Sequence, residues 1–313
     1  VHYDPRVVCT PTRRAVSSLL ALLAASVAAC GASSPTTGTT AATAAASPTT
    51  TTTGTSIPLG DNHHGTTPRS GYIDSCTTTF GGGGASSNGP WITGNTWDPS
   101  AKLHVQGDVA WPAASYTVTV SGTRRTITTE DLPVGHRSGV FPIASTDPAS
   151  QYDQNPNAIA AHHTVITVDV TPAAAAQPSC LGLGAIGVLT DGVLLFNGLD
   201  AGGRDAAAHE VLDSCDGHPA PGGTYHHHTV PSCLLSAATG ATTLVGYALD
   251  GFGIYVERDT AGKLLTDSDL DACHGRTSTV PWDGAQVAMY HYVATAEFPY
   301  TLGCYHGTAE RAS

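Results

Sequence analysis

Residues 186–196 read IGVLTDGVLLF, two short apolar runs joined by Asp191-Gly192. Aspartate and glycine tolerate the positive φ of a tight reversal, so Asp-Gly between apolar runs predicts a β-hairpin. The design returns over 244–256, LVGYALDGFGIYV, around Asp250-Gly251. Alternation also predicts strands over 116–120 (YTVTV), 125–129, 164–170 (TVITVDV) and 286–292. Helical signals are confined to 204–213 and 267–272, and the Pro- and Asn-rich stretch 136–157 reads as a long ordered loop. The expected fold is mainly β with a few short helices, an antiparallel β-sandwich-like domain stapled by disulfides. No internal repeat is convincing beyond two aromatic–histidine runs, at 225–228 and 290–292.

The N-terminal 30 residues have the pattern of a signal peptide. Arg6, Arg13 and Arg14 precede an apolar stretch over 15–29. As a helix that stretch would reach roughly 22 Å, short of the ~30 Å hydrocarbon core. It ends Val27-Ala28-Ala29-Cys30-Gly31, which resembles the bacterial lipoprotein box; that resemblance implies lipidation of Cys30 and a lipid-anchored, extracytoplasmic location. The alternative is an ordinary secretory signal with an incidental cysteine. Residues 31–57 are almost wholly Thr, Ala, Ser, Gly and Pro, too poor in apolar surface to offset ordering entropy, and read as a tether. The domain is expected over 58–313.

Beyond Cys30 the chain carries ten basic and 24 acidic residues, a net charge of −14. Such a surface argues against nucleic acid and against adhesion to anionic lipid, so the expected membrane contact is through the N-terminal lipid only.

Six cysteines follow the signal: Cys76, Cys180, Cys215, Cys233, Cys273 and Cys304. An even number in an exported chain reads as three disulfides. Cys215–Cys233 would close a loop around the first histidine run and Cys273–Cys304 a loop around the second, leaving Cys76–Cys180. Thiolate ligation of zinc is the alternative, without any C-x-x-C spacing in its favour.

The chemistry concentrates in GTYHHHTVPSC, 223–233. On a strand, His226 and His228 share a face while His227 points opposite. Neutral imidazole suits zinc or copper, and His218 and His291 are the expected further ligands. His306 and the neighbouring tyrosines, Tyr225 among them, are candidates to orient the rings. On a helix over 204–213, Asp205, His209 and Asp213 would share a face with Glu210 beside them, an acid–base constellation or merely a polar surface. Asp250 is a weaker candidate, since Asp-Gly is ordinary turn chemistry.

Taken with PWITGNTWDPSAKLHVQGDVAWP (90–112), GRDAAAHEVLDSCDGHP (203–219) and LDACHG (270–275), the chain resembles the YHYH domain family. Tyr225, His226 and His228 match the first, second and fourth motif positions; His227 stands where the family has its second tyrosine, and Gly253 where it often has proline. The resemblance implies an exported domain and supplies no mechanism. Three functions stay open: a metal-binding protein, a metal-dependent hydrolase or oxidase, and a metal-free module that binds glycan, protein or a small molecule. The last would use Trp91, Trp97, Trp111 and Trp282 as contact residues.

Overall fold

The computed structural model describes residues 56–312. The expected signal peptide, Cys30 and nearly all of the expected tether lie outside the described residues; Ile57, at the tether's expected end, already pairs with Trp97.

Eight strands build the main sheet. In chain order they are β1 (Ala185–Leu189), β2 (Leu194–Phe196), then, after the helix α1 (Ala206–His209), β3 (Gly217–Pro219), β4 (Tyr225–His227), β5 (Thr242–Ala248), β6 (Gly253–Glu257), β7 (Gly275–Trp282) and β8 (Ala285–Ala294). Their spatial order is β3-β4-β2-β1-β5-β6-β8-β7. Both Asp-Gly hairpins form, β1–β2 and β5–β6, with Gly192 and Gly251 at φ 80 and 88 where only glycine sits without strain. They meet at the sheet centre through β1 and β5.

The fold is mainly β, as expected, but the sheet is mixed: β2 runs parallel to β4 and β6 parallel to β8. Each parallel pair follows a long excursion after a hairpin, which lets the next strand enter beside it in the same direction. The sheet order has two halves that mirror each other about the β1–β5 seam, a repetition larger than the two aromatic–histidine runs.

A second, antiparallel sheet of Tyr116–Ser121, Arg124–Thr129 and Thr164–Asp169 shares the core through Ile127, Ile166 and Val168. It touches the main sheet where Trp282 donates to the Val170 carbonyl, 3.1 Å, and where the buried Arg125 guanidinium lies over the Tyr247 and Trp282 rings. All three cysteine pairs are present: Cys76–Cys180, Cys215–Cys233 and Cys273–Cys304. No helix of the described residues is long and apolar enough to cross a membrane.

The helix expected over 204–213 is shorter. Asp205 caps α1, and Glu210 already leaves the helix at φ −74, ψ 139. The amides of 211 and 213 go elsewhere: Val211 N–H donates to the Asp153 carboxylate and Asp213 N–H to the Gly217 carbonyl. Asp213 therefore does not lie one turn beyond His209, and the expected helical acid–base face does not exist. Over 267–272 only the 3-10 turn Asp267–Asp269 forms.

Candidate metal centre

Strand pairing assembles the site. β3 and β4 are antiparallel with His218 opposite His226, and β4 lies against β2 with Leu194 beside His226. His226 and His228, two positions apart, project the same way. His228 Nε2 lies 3.1 Å from His226 Nε2 and 3.2 Å from His218 Nε2. The extended backbone at Glu210 swings its carboxylate into the same place, with Oε2 3.2 Å from His218 Nε2 and 3.3 Å from His228 Nε2. Donor atoms about 2.0–2.1 Å from one ion are roughly 3.3–3.4 Å apart at tetrahedral angles and about 2.9 Å at right angles. The observed spacings fall inside that range.

The hydrogen bonds behind the rings fix which nitrogens face inward. His226 Nδ1 lies 3.1 Å from the Thr224 carbonyl and His228 Nδ1 2.6 Å from the Asn197 carbonyl. A carbonyl only accepts, so each Nδ1 carries a proton and each Nε2 is the atom turned inward. The two Nε2 atoms then face each other across 3.1 Å, beside a Glu210 Oε2 that is buried without a hydrogen-bond partner. His218 is held differently, its Nδ1 3.4 Å from the Asn155 Nδ2 amide, whose other N–H donates to the Pro219 carbonyl at 2.9 Å. Burial first, then the neighbouring imidazoles, hold His218 and His226 well below the usual histidine range, in the neutral form that ligates. These residues could hold a metal ion.

The cluster is open on one side. Glu210, His218, His226 and His228 border a pocket of about 580 Å³ whose walls include Gly83, Asn155, Leu183, Phe196 and Leu199. Phe196 stacks on His226 with ring centroids 3.9 Å apart.

The remaining candidates lie elsewhere. His227 points opposite, as alternation requires: Nδ1 faces the Asp216 carbonyl at 3.0 Å and Nε2 the Asp191 carboxylate at 3.1 Å. Burial alone would raise the Asp191 pKa, but His227 and His136 outweigh it and bring it to about 2. His136, His227 and Cys215 also approach one another, but Cys215 is spent in its disulfide and both rings are held by Asp191. His291 is not a member of the cluster. It sits on β8, in the other half of the sheet, with Nε2 3.0 Å from Glu257 and Nδ1 3.1 Å from the Met289 carbonyl. His306 stacks on Tyr290 at 3.6 Å, and Asp250 receives the Tyr292 hydroxyl at 2.5 Å. His209 bonds Asp61 at 3.0 Å, while Asp205 takes the Gly60 amide and the Tyr300 hydroxyl, so neither borders the pocket. Tyr225 donates to Asp213 at 2.7 Å, bracing the β3–β4 hairpin.

Glu210 was legible only as an acid–base candidate, because its place beside the three histidines depends on where α1 stops. The Asn197 carbonyl that orients His228 has no side-chain signature at all. Trp91, Trp97 and Trp282 are 3 %, 6 % and 7 % exposed, which removes them from any contact surface.

Residues 165–264 match the family model described as YHYH protein. The match takes in Glu210, His218, His226 and His228 and ends before His291. No curated protein matches, and no solved structure matches.

Proposed function

We propose that this YHYH-family segment binds a transition-metal ion through His218, His226, His228 and Glu210. The convergence of three imidazole Nε2 atoms and the buried Glu210 Oε2 within 3.1–3.3 Å of their neighbours carries the reading, because that is the spacing of donors around one ion. Three imidazoles and one carboxylate suit zinc or copper better than calcium or magnesium. The pocket favours a catalytic use of the ion, as in a metal-dependent hydrolase or oxidase. An ion held from one side leaves a coordination position toward the cavity, where it would polarise a bound water or substrate. The metal-free module loses support with the burial of Trp91, Trp97 and Trp282, which leaves Trp111 alone of its four tryptophans partly exposed. We also propose export and a lipid anchor at Cys30, supported by the signal pattern and by three cysteine pairs of the kind oxidising compartments sustain.

Metal analysis of the purified chain after dialysis against zinc or copper tests the proposal. About one tightly held equivalent per chain is expected, lost in His226→Ala and in His228→Ala. A folded wild-type protein that retains neither metal would overturn the reading.

A further inference from the structure

The mirrored order of the main sheet extends to individual hydrogen bonds. VLTDGVLLFN (188–197) corresponds to YALDGFGIYV (247–256), LDSCDG (212–217) to LDACHG (270–275), and YHHH (225–228) to YHYV (290–293). In both halves an antiparallel pair sets the motif strand against its partner: Gly217 opposite His227 and His218 opposite His226, Gly275 opposite Tyr292 and Arg276 opposite His291. In both, the motif strand runs parallel to the second hairpin strand, with Leu195 beside His227 and Ile254 beside Tyr292.

The braces repeat as well. Asp213 Oδ1 accepts the amides of Cys215 and Gly217 at 3.0 and 3.2 Å; Asp271 Oδ1 accepts those of Cys273 and Gly275 at 2.9 and 3.0 Å. Tyr225 donates to Asp213 as Tyr290 does to Asp271, at 2.7 and 3.1 Å. Asp216 and His274 share the left-handed conformation, φ 55 and 69. A Cβ at Gly217 or Gly275 would lie 2.2 Å from the hydroxyl of Tyr225 or Tyr290, so both positions need glycine. His227 faces Asp191 as Tyr292 faces Asp250. His226 and His291 each turn Nδ1 to the carbonyl two residues earlier, at 3.1 Å in both.

We infer that the C-terminal half, β5 to β8, is a second copy of the site-bearing unit whose metal position has been closed by side chains of its own. Arg276 stands where the first half has His218, and Val293 where it has His228. Glu257, delivered by β6, lies 3.0 Å from His291 Nε2, with Arg276 Nε 3.8 Å away and the Ser278 hydroxyl 3.2 Å away. Both nitrogens of His291 thus face acceptors, with Nε2 engaged by Glu257 rather than turned to an open position. The second position is latent: His291 and Glu257 are two ligands of the set, and Arg276→His would supply a third from the place His218 occupies, without altering buried Val293.

The inference uses the ligand assignment proposed above, but its test separates from that one. Zinc stoichiometry is measured by equilibrium dialysis and metal analysis on the wild type, on Arg276→His, and on Arg276→His added to His226→Ala/His228→Ala. The expected values are about one, two and one equivalents per chain, with cobalt in place of zinc giving a second set of d–d bands in Arg276→His. A wild type with no zinc sinks the proposed function alone, and a gain of one equivalent by Arg276→His would still support the latent site. Two equivalents in the wild type, or a folded Arg276→His with no gain, would overturn the inference. Should Arg276→His not fold, the reciprocal exchange decides. His218→Arg/His228→Val places the side chains of Arg276 and Val293 at the corresponding positions of the first half, with Glu210 as the carboxylate, and is expected to melt above His218→Ala/His228→Ala; melting below it would overturn the idea of interchangeable frames.

Discussion

Three consecutive histidines have two fates because a strand turns each side chain through half a revolution. His226 and His228 meet Glu210 and His218, whereas His227 turns to Asp191 and leaves no lone pair free. This much was legible, since alternation needs only an extended backbone. The His218 partnership needed the β3–β4 register, and the exclusion of His291 needed the whole strand order. The fates should separate in binding data. His227→Tyr keeps a hydroxyl for Asp191, as Tyr292 does for Asp250, and is expected to bind zinc with unchanged affinity. Glu210→Gln removes a charged ligand and should weaken zinc by more than the roughly 10–100-fold typical of losing an outer partner. His227→Ala would leave Asp191 buried with one fewer partner, an upper cost of about 3–5 kcal/mol, with zinc still bound. Competition titrations against a chelator check the affinities. A loss in His227→Tyr equal to that in Glu210→Gln would contradict the assignment.

At the scale of elements, local chemistry marked both Asp-Gly hairpins and the 116–129 ribbon, because glycine turns and alternation are written side by side. It misjudged 204–213, where a helical pattern is real but the amides that would continue it are claimed by Asp153 and by the Gly217 carbonyl. Distant partners leave no local trace, and the same holds for the parallel pairings. The 3-10 turn Asp267–Asp269 gives an independent check on burial. Its capping box uses Thr266 and Asp269, while burial and then the charge of Glu297 push Asp267 up to about 7. A carboxyl whose folded pKa exceeds its unfolded value near 3.8 binds more protons folded than unfolded between those values. It therefore lowers stability as pH rises from about 4 to 7, and the penalty persists above. Asp267→Asn should accordingly gain on the wild type between pH 5 and pH 8 in urea unfolding. A gap between the two that stays constant across that range would show that Asp267 titrates as an exposed acid.

Across the whole molecule, the sheet is two half-sheets joined at β1 and β5, and the repetition escaped notice in the sequence because the connections differ. Nine residues run from Gly217 to Tyr225, counted inclusively, and sixteen from Gly275 to Tyr290. The acidic domain has no electrostatic reason to hold an anionic bilayer, so retention rests on the proposed lipid. Cys30→Ala is expected to move the domain from the membrane pellet to the soluble fraction; unchanged pelleting at high salt would count against lipidation. One further consequence follows from how the pocket is put together. Every proposed ligand comes from residues 210–228, whereas much of the remaining wall comes from Gly82–Gly84 and from the loop holding Asp153 to Asn157, segments from outside the main sheet. That wall also supports the site: Asn155 Nδ2 lies 3.4 Å from His218 Nδ1, and Asp153 accepts the Val211 amide next to Glu210. Replacing a wall loop would therefore change which molecules enter and, at the same time, how His218 and Glu210 are held, so admission and ligand posture vary together.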